Sequence, residues 1–346
     1  MRAAVKSRPG KGIEFRNDVE RPTPGTGEVL LRVRSVGICG SDIHIYEGHD
    51  IGNLPKLPVP FIPGHEFAGS IESIGDQVDG YKVGDRVCAE ITVTCGRCYF
   101  CRTEQRVFCT AIREIGVDRD GAYAEYVTVP AYDLHKLPAG MTCEQGSLVE
   151  PLAAALHPFE RLDIGIGDSI AVVGAGPIGL FAIAVAKSLG YGKIMAVGRR
   201  SDRLQLARDF GADHAFDIDK EDGVEKVVQT TDGIGADVVL EATGNPKALE
   251  QTFRMSRKDG QICLAGATLE QSVISSSLIV GKSLRVMGSF DYTWLTFERC
   301  IGLIGSGKVD VNKVVSHRLR LEDVQEAFRL ILNKEAIKVL MLPERT

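Results

Sequence analysis

Four cysteines, Cys95, Cys98, Cys101 and Cys109, stand at the spacing C-x2-C-x2-C-x7-C in a segment rich in Gly, Arg and Thr. Four thiolates this close can wrap one tetrahedral ion and close its shell, the donor set of a structural zinc site. An iron–sulfur cluster is the competing reading. The bacterial ferredoxin run ends C-x3-C-P, whereas this one ends C-x7-C followed by Thr110. The segment is too polar for the four to be core residues. A scattered set has related chemistry: Cys39 in Gly37-Ile38-Cys39-Gly40-Ser41-Asp42-Ile43-His44, then Gly64-His65-Glu66, then Glu150 in Leu148-Val149-Glu150-Pro151. Spacing does not join these positions. By residue identity alone, Cys39 is as well read as a small buried hydrophobe and His65 as a loop histidine.

Gly174-Ala175-Gly176-Pro177-Ile178-Gly179 follows the apolar run Ser169 to Val173 and opens a segment of helical period. In that context G-x-G-x-x-G binds a dinucleotide. The first Gly permits a tight turn, the second lets a pyrophosphate approach the backbone, and the third lets helix and strand pack closely. The helix N-terminus supplies free N–H groups to the anion. An acidic residue roughly 20 positions on would hydrogen-bond the adenosine ribose 2′-OH. This sequence instead has Gly198, then Arg199 and Arg200, with Arg203 at the start of the next helix. Gly198 removes a carboxylate that would repel a 2′-phosphate, and an arginine offers that phosphate a planar fork. One charge-assisted bond of roughly 1.5–3 kcal/mol biases the choice about 10-fold to 100-fold. The expectation is NADP in preference to NAD, with NAD also possible; a solvated arginine patch is the alternative.

The elements that must position these groups follow from pattern. The chain has 346 residues, is 44% apolar and 25% charged, and carries a formal charge of −5. That is the composition of a globular protein of about two domains, and the mild acidity makes nucleic acid and membrane surface poor partners. The first residues are charged throughout and have no apolar run of the secretory type, so a cytoplasmic location is expected. Nine cysteines, an odd number, argue against a framework of paired disulfides. Short β-branched runs at Val29 to Val36, Phe67 to Ile74, Arg86 to Ile91 and Tyr123 to Val129 read as a mainly antiparallel unit. From about Asp168 the pattern alternates. Strands are expected at Ser169 to Val173, Lys193 to Val197, His214 to Phe216, Asp237 to Glu241, Gln261 to Ala265 and near Ser283 to Met287, and helices at Pro177 to Leu189, Asp202 to Phe210 and Pro246 to Met255. This is the pattern of an α/β, doubly wound parallel sheet. A last β-like run covers Ile337 to Leu342.

The stretch Gly64-His65-Glu66-Phe67-Ala68-Gly69, with Gly75 and Val78 beyond it, resembles the signature of zinc-containing medium-chain alcohol dehydrogenases. The likeness runs through the Cys39 segment, the four-cysteine lobe, Glu150-Pro151 and the glycine turn. Within that superfamily the chain is most similar to the sorbitol (polyol) dehydrogenase-like branch, with threonine dehydrogenases as near relatives. The resemblance implies a GroES-like, mainly β catalytic domain of residues 1–152 and 289–346, with a Rossmann domain of residues 153–288 inserted and the active site in the cleft. It implies two zinc ions per chain, one structural and one catalytic.

Carried over residue by residue, the resemblance makes Cys39, His65 and Glu66 the ligands of the catalytic zinc, with water in the fourth position. Glu150 falls where some relatives place a further ligand and others an outer carboxylate. Ser41 and His44 match a proton relay, the serine hydroxyl accepting the alcohol proton, which then passes through the cofactor ribose to the histidine. An open zinc position suits this because zinc brings the pKa of bound water down to about 7. The sequence departs from the sorbitol pattern at Phe290-Asp291-Tyr292, where an Arg-Tyr pair contacts the polyol in relatives. Asp291 can accept bonds from hydroxyls but disfavours a nearby anion, so a neutral polyol or secondary alcohol is expected; otherwise Asp291 simply ends a strand in solvent. Alternatives are threonine dehydrogenase-like oxidation of an amino alcohol, with Asp291 facing an ammonium, and a catalytically silent binding or structural protein on the same fold. Relatives imply a homodimer or homotetramer. His135 and four cysteines, Cys88, Cys143, Cys263 and Cys300, have no motif partners and read as structural.

Overall fold

The β-branched run after Glu28 becomes the strand around which one half of the computed structural model is built, and residues 1–49, 59–268 and 270–343 are described. Strand β1 (Glu28–Gly37) pairs along one edge with β2 (Glu66–Ile74), which carries β3 (Arg86–Ala89). Its other edge is divided. Glu28 to Arg32 pair with β4 (Tyr126–Pro130), while Val36 and Gly37 pair with the C-terminal strand β13 (Lys338–Leu342). With β5 (Leu134–Lys136) beyond β3 and β12 (Val315–Arg320) beyond β13, the sheet has seven strands and is antiparallel except for the β12–β13 pair. Val29, Leu31 and Val33 point into a core shared with Phe67, Ile71, Val87 and Phe328, the alternation expected of a strand with one covered face.

The chain divides into two compact units, Met1–Glu150 with Thr293–Thr346, and Pro151–Tyr292. The second holds a six-stranded, all-parallel sheet: β6 (Ser169–Val173), β7 (Lys193–Gly198), β8 (His214–Asp217), β9 (Ala236–Glu241), β10 (Ser256–Leu264) and β11 (Arg285–Gly288), in the order β8–β7–β6–β9–β10–β11. This is the doubly wound order, with its switch point between β6 and β9. Every residue of β6 is buried, as expected where helices cover both faces. Helix Pro177–Leu189 follows, started by proline at its first position and stopped by Gly190 in the left-handed conformation, the two residues suited to those ends.

In the first unit the runs expected at Arg86 to Ile91 and Tyr123 to Val129 shorten or shift to Arg86–Ala89 and Tyr126–Pro130, and in the parallel sheet two strands start away from the expected residue. β10 starts at Ser256 rather than Gln261, because a register irregularity opposite Ala236 and Val238, and a left-handed Asp259, let a charged, non-alternating segment join the sheet. β11 starts at Arg285 rather than Ser283, because Ser283 is the left-handed end of a preceding helix, Ser276–Lys282. Among the described residues no helix is long and apolar enough to cross a membrane.

Inside the first unit, buried His135 on β5 lies between two carboxylates, with Nε2 3.0 Å from Glu90 and Nδ1 2.5 Å from Glu298 of helix Trp294–Gly305. A neutral imidazole donates only one hydrogen bond; the imidazolium donates both. Burial lowers the His135 pKa, but the bonds to Glu90 and Glu298 outweigh it and leave it raised. A raised histidine contributes stability that is full below its unfolded pKa of about 6.5 and is lost as pH rises through the folded value. The His135→Gln variant is therefore expected to lose about 1–3 kcal/mol at pH 6, with a smaller gap at pH 9. Thermal or urea melts at the two pH values test this, and a gap that widens towards pH 9 would contradict it.

Candidate active site

Register brings the scattered residues together. Gly37, the last residue of β1, pairs with Glu66, the first of β2. Beyond Gly37 the chain turns at Cys39 into helix α1 (Gly40–Glu47), so Cys39 on one strand's exit meets His65 and Glu66 on the other's start. One ligand atom from each of the three lies within 4.8 Å of the others. His65 and Glu66 are 3% and 1% exposed, and Cys39 is partly exposed. Glu150, in the first turn of helix Val149–Glu160, is buried and acts electrostatically on His65, but it is not among the three clustered residues.

The donor set suits a divalent cation. Burial lowers the His65 pKa, yet Asp42, Cys39 and Glu150 together hold it well above the ordinary value. A field that favours an imidazolium also favours a metal ion. His65 Nδ1 has no hydrogen-bond partner among the described residues and faces Asp42 Oδ1, also without one, at 3.7 Å. A ligating imidazole directs its other nitrogen at a carboxylate in this way. Asp42 is itself held: its Oδ2 accepts from the Cys39 N–H at 2.8 Å and from the Tyr123 hydroxyl at 2.7 Å. Gly64 leaves room for the Tyr123 ring, which a Cβ there would meet at 2.2 Å.

Asp42, Tyr123 and Lys338 escape a motif-based reading. Asp42 stands three residues after Cys39, the interval at which a side chain reaches back to an N-cap backbone. Lys338 is a lone charge opening the apolar strand Lys338-Val339-Leu340-Met341-Leu342, which is itself a signal. Its Nζ is 2.7 Å from both Glu66 carboxylate oxygens and 3.0 Å from the Ile38 carbonyl. Tyr123 carries no local signal. Ser41 and His44 are one turn apart on α1, both partly exposed, and His44 Nδ1 is buried with no hydrogen-bond partner among the described residues.

The four lobe cysteines also meet. Their sulfurs lie within 4.8 Å of one another, with Cys98–Cys101 at 3.5 Å and Cys95–Cys101 at 4.0 Å. A tetrahedron with metal–sulfur bonds of about 2.3 Å has edges of about 3.8 Å, so the spacing fits one ion. Cys109 Sγ accepts from the N–H groups of Cys95 and Ala111, each at 3.4 Å. Backbone N–H groups of Cys101 and Thr110 bring Cys98 down to about 6, while burial and its bonds to Cys98 and Cys109 push Cys101 up to about 11. Of the other cysteines, Cys88, Cys263 and Cys300 are buried; Cys143 is instead partly exposed, on a short helix.

In the second unit, Gly174 has φ 113°, Gly176 caps the helix, and Pro177 and Ile178 form its first turn. A Cβ on Gly179 would stand 1.8 Å from the Gly174 carbonyl oxygen, which is the close approach the third glycine permits. β7 ends at Gly198. Beyond it Arg199 pairs with Asp219 at 3.2 Å and Arg200, at φ 70°, with Asp202 at 3.0 Å, while Arg203 lies partly buried in helix Ser201–Asp209. Asp291 is partly exposed, but Tyr292 is 1% exposed. Of the two residues expected at the substrate, Asp291 is thus the more accessible and Tyr292 the more deeply buried.

A parallel sheet of this order with a glycine turn at its switch strand, in one chain with a β-rich unit that gathers Cys, His and Glu, defines a two-domain dehydrogenase. Residues 25–139 match the alcohol dehydrogenase GroES-like domain, and residues 177–306 match the zinc-binding dehydrogenase family. The chain is 37% identical to a sorbitol dehydrogenase of Halalkalibacterium halodurans, over 99% of each chain. It is 37% identical to an L-threonine 3-dehydrogenase of Pyrococcus horikoshii, over 99% of this chain and 98% of that one. A solved zinc-binding dehydrogenase of Sinorhizobium meliloti bound to NADP superposes with a TM-score of 0.92 at 30% identity, over 99% of each chain. The protein thus belongs to the zinc-containing medium-chain alcohol dehydrogenase superfamily. Its Cys98→Ser variant is expected to hold one zinc ion fewer per chain than the wild type by elemental analysis; an unchanged count would remove the four-cysteine lobe from the metal sites.

Proposed function

We propose that this protein oxidises a neutral polyol or related secondary alcohol to the ketose or ketone, with NADP as the preferred hydride acceptor. The observation that carries the reading is the convergence of Cys39, His65 and Glu66. These residues would hold a catalytic zinc, and Cys95, Cys98, Cys101 and Cys109 a structural one. When bound, the catalytic ion supplies a Lewis acid that eases loss of the hydroxyl proton, and the nicotinamide supplies the hydride acceptor.

The chain's own residues do the rest. Asp42 keeps the His65 ring in one orientation, and the buried Glu150 adds a further negative charge that acts on His65. The Ser41 hydroxyl accepts the substrate proton as it releases its own into the relay that ends at His44, one turn further along α1, since an imidazole exchanges protons near neutral pH. Asp291 accepts bonds from substrate hydroxyls. In the Rossmann domain the glycine turn, Gly174 to Gly179, receives the pyrophosphate, and Arg199, Arg200 and Arg203 receive the 2′-phosphate. Exposed pairs such as Arg199–Asp219 contribute little, so a phosphate dianion can displace the aspartate. The same reading makes the protein a cytoplasmic homodimer or homotetramer with a small-molecule substrate. A second reading, oxidation of a 3-hydroxy amino acid with Asp291 facing the ammonium, is favoured by the L-threonine 3-dehydrogenase relative.

A panel of alditols, simple secondary alcohols, L-threonine and sugar phosphates, each with NADP and NAD, is expected to give the highest kcat/KM with a neutral polyol or diol and NADP. Arg199→Ala should lower kcat/KM for NADP about 10-fold or more while leaving NAD largely unchanged. A clear NAD preference or activity confined to sugar phosphates contradicts the assignment. The Cys39→Ser variant should lose turnover to background while its melting temperature and NADP affinity stay close to wild type, and retained turnover would count against the catalytic metal site.

A further inference from the structure

Lys338 is 2% exposed and spends its three N–H donors on three acceptors: both oxygens of Glu66, each at 2.7 Å, and the Ile38 carbonyl at 3.0 Å. The site is shaped for this contact. A Cβ on Gly37 would stand 2.2 Å from Glu66 Oε2, so the glycine leaves the space in which the carboxylate lies across β1 towards the lysine. A buried ion pair is often no more stabilising than apolar residues of the same volume. Packing alone therefore gives no reason for an ammonium at this position. Its three acceptors belong to the two segments that carry the clustered residues, since Ile38 precedes Cys39 and Glu66 follows His65. The titratable groups that favour its charge from those segments and from helix Val149–Glu160 are Glu66, then Cys39 and Glu150.

We infer that Lys338 is a resident counter-ion that competes with the divalent ion for Glu66 and so sets how tightly the Cys39–His65–Glu66 site holds its metal, a role that rests on the metal-site reading above. Any ion ligated by a Glu66 oxygen at about 2.1 Å lies no more than about 5 Å from the ammonium. Two like charges at that separation repel strongly in a medium of low effective dielectric. Lys338 is thus a positioning residue: it touches Glu66, and it acts on the metal through that carboxylate and through its charge.

The test is zinc retention by the loaded protein, titrated with a competing chelator, in the wild type and in three variants. Lys338→Gln removes the charge and keeps hydrogen-bond donors, Lys338→Met fills the space without donors, and Lys338→Arg keeps the charge. Zinc in the four-cysteine lobe serves as an internal reference, and an unchanged cooperative melting transition reports that each variant is folded. The Gln and Met variants are expected to hold the second zinc at least about tenfold more tightly than wild type, and the Arg variant to stay within about twofold. A merely structural lysine gives the opposite sign, because the ion is then held less well when the tie between the two segments is cut. Unchanged or weaker retention in the Gln and Met variants overturns the role of Lys338 alone, whereas a wild type that holds only the four-cysteine ion overturns the metal reading and this inference with it.

Discussion

The pairing of Gly37 with Glu66 is the contact on which the candidate active site depends. Antiparallel register fixes which residues stand opposite one another, and a slip of one residue would turn every side chain of β2 to the other face. Held in this register, the exit of β1 and the start of β2 bring a thiol, an imidazole and a carboxylate to one point. The hydrogen bonds of the sheet therefore position the site, and the residues around it refine the position. Asp42 bonds to the Cys39 N–H and faces His65, Tyr123 holds Asp42, and Lys338 bonds to both segments.

The four-cysteine lobe works in the contrary manner. Its first three sulfurs come from seven consecutive residues and its last from eight further on, so little sheet is needed to gather them. Short strands Thr92–Val93 and Arg113–Glu114 clasp the lobe's base, and backbone N–H groups aimed at the sulfurs stabilise thiolate character. The two clusters present the same elements of chemistry assembled by opposite means, local chain wrapping in one and long-range strand pairing in the other.

In the Rossmann domain, strand order and local sequence reinforce each other. The fully buried β6 leads into the glycine turn, the turn opens the helix, and the close approach of Gly179 to the Gly174 carbonyl excludes any larger residue. The arginines beyond β7 illustrate the limit of charge read along a chain. Arg199, Arg200 and Arg203 read as one positive group, whereas in three dimensions Asp219 and Asp202 stand beside the first two. The surface those arginines present is therefore partly neutralised.

Much of this was legible in the residues alone. The spacing of Cys95, Cys98, Cys101 and Cys109, the β6–turn–helix passage and the alternation of strands and helices after Asp168 are local patterns, and local patterns survive being read in one dimension. Several strand ends were not legible, because the left-handed residues Asp259 and Ser283 and the irregular register of β10 carry no mark in hydropathy. Nor was the burial of Tyr292, since a tyrosine beside a polar aspartate carries no local mark of whether it is covered. The union of Cys39 with His65 and Glu66 required resemblance to a family, as no spacing rule spans the separation. Sequence by itself thus determined the donor types, the nucleotide turn and the class of sheet. Only the tertiary structure decided that Asp42 faces His65 and that Lys338 holds Glu66, because those contacts join residues 23 and 272 positions apart, and such pairings are set by strand register and burial.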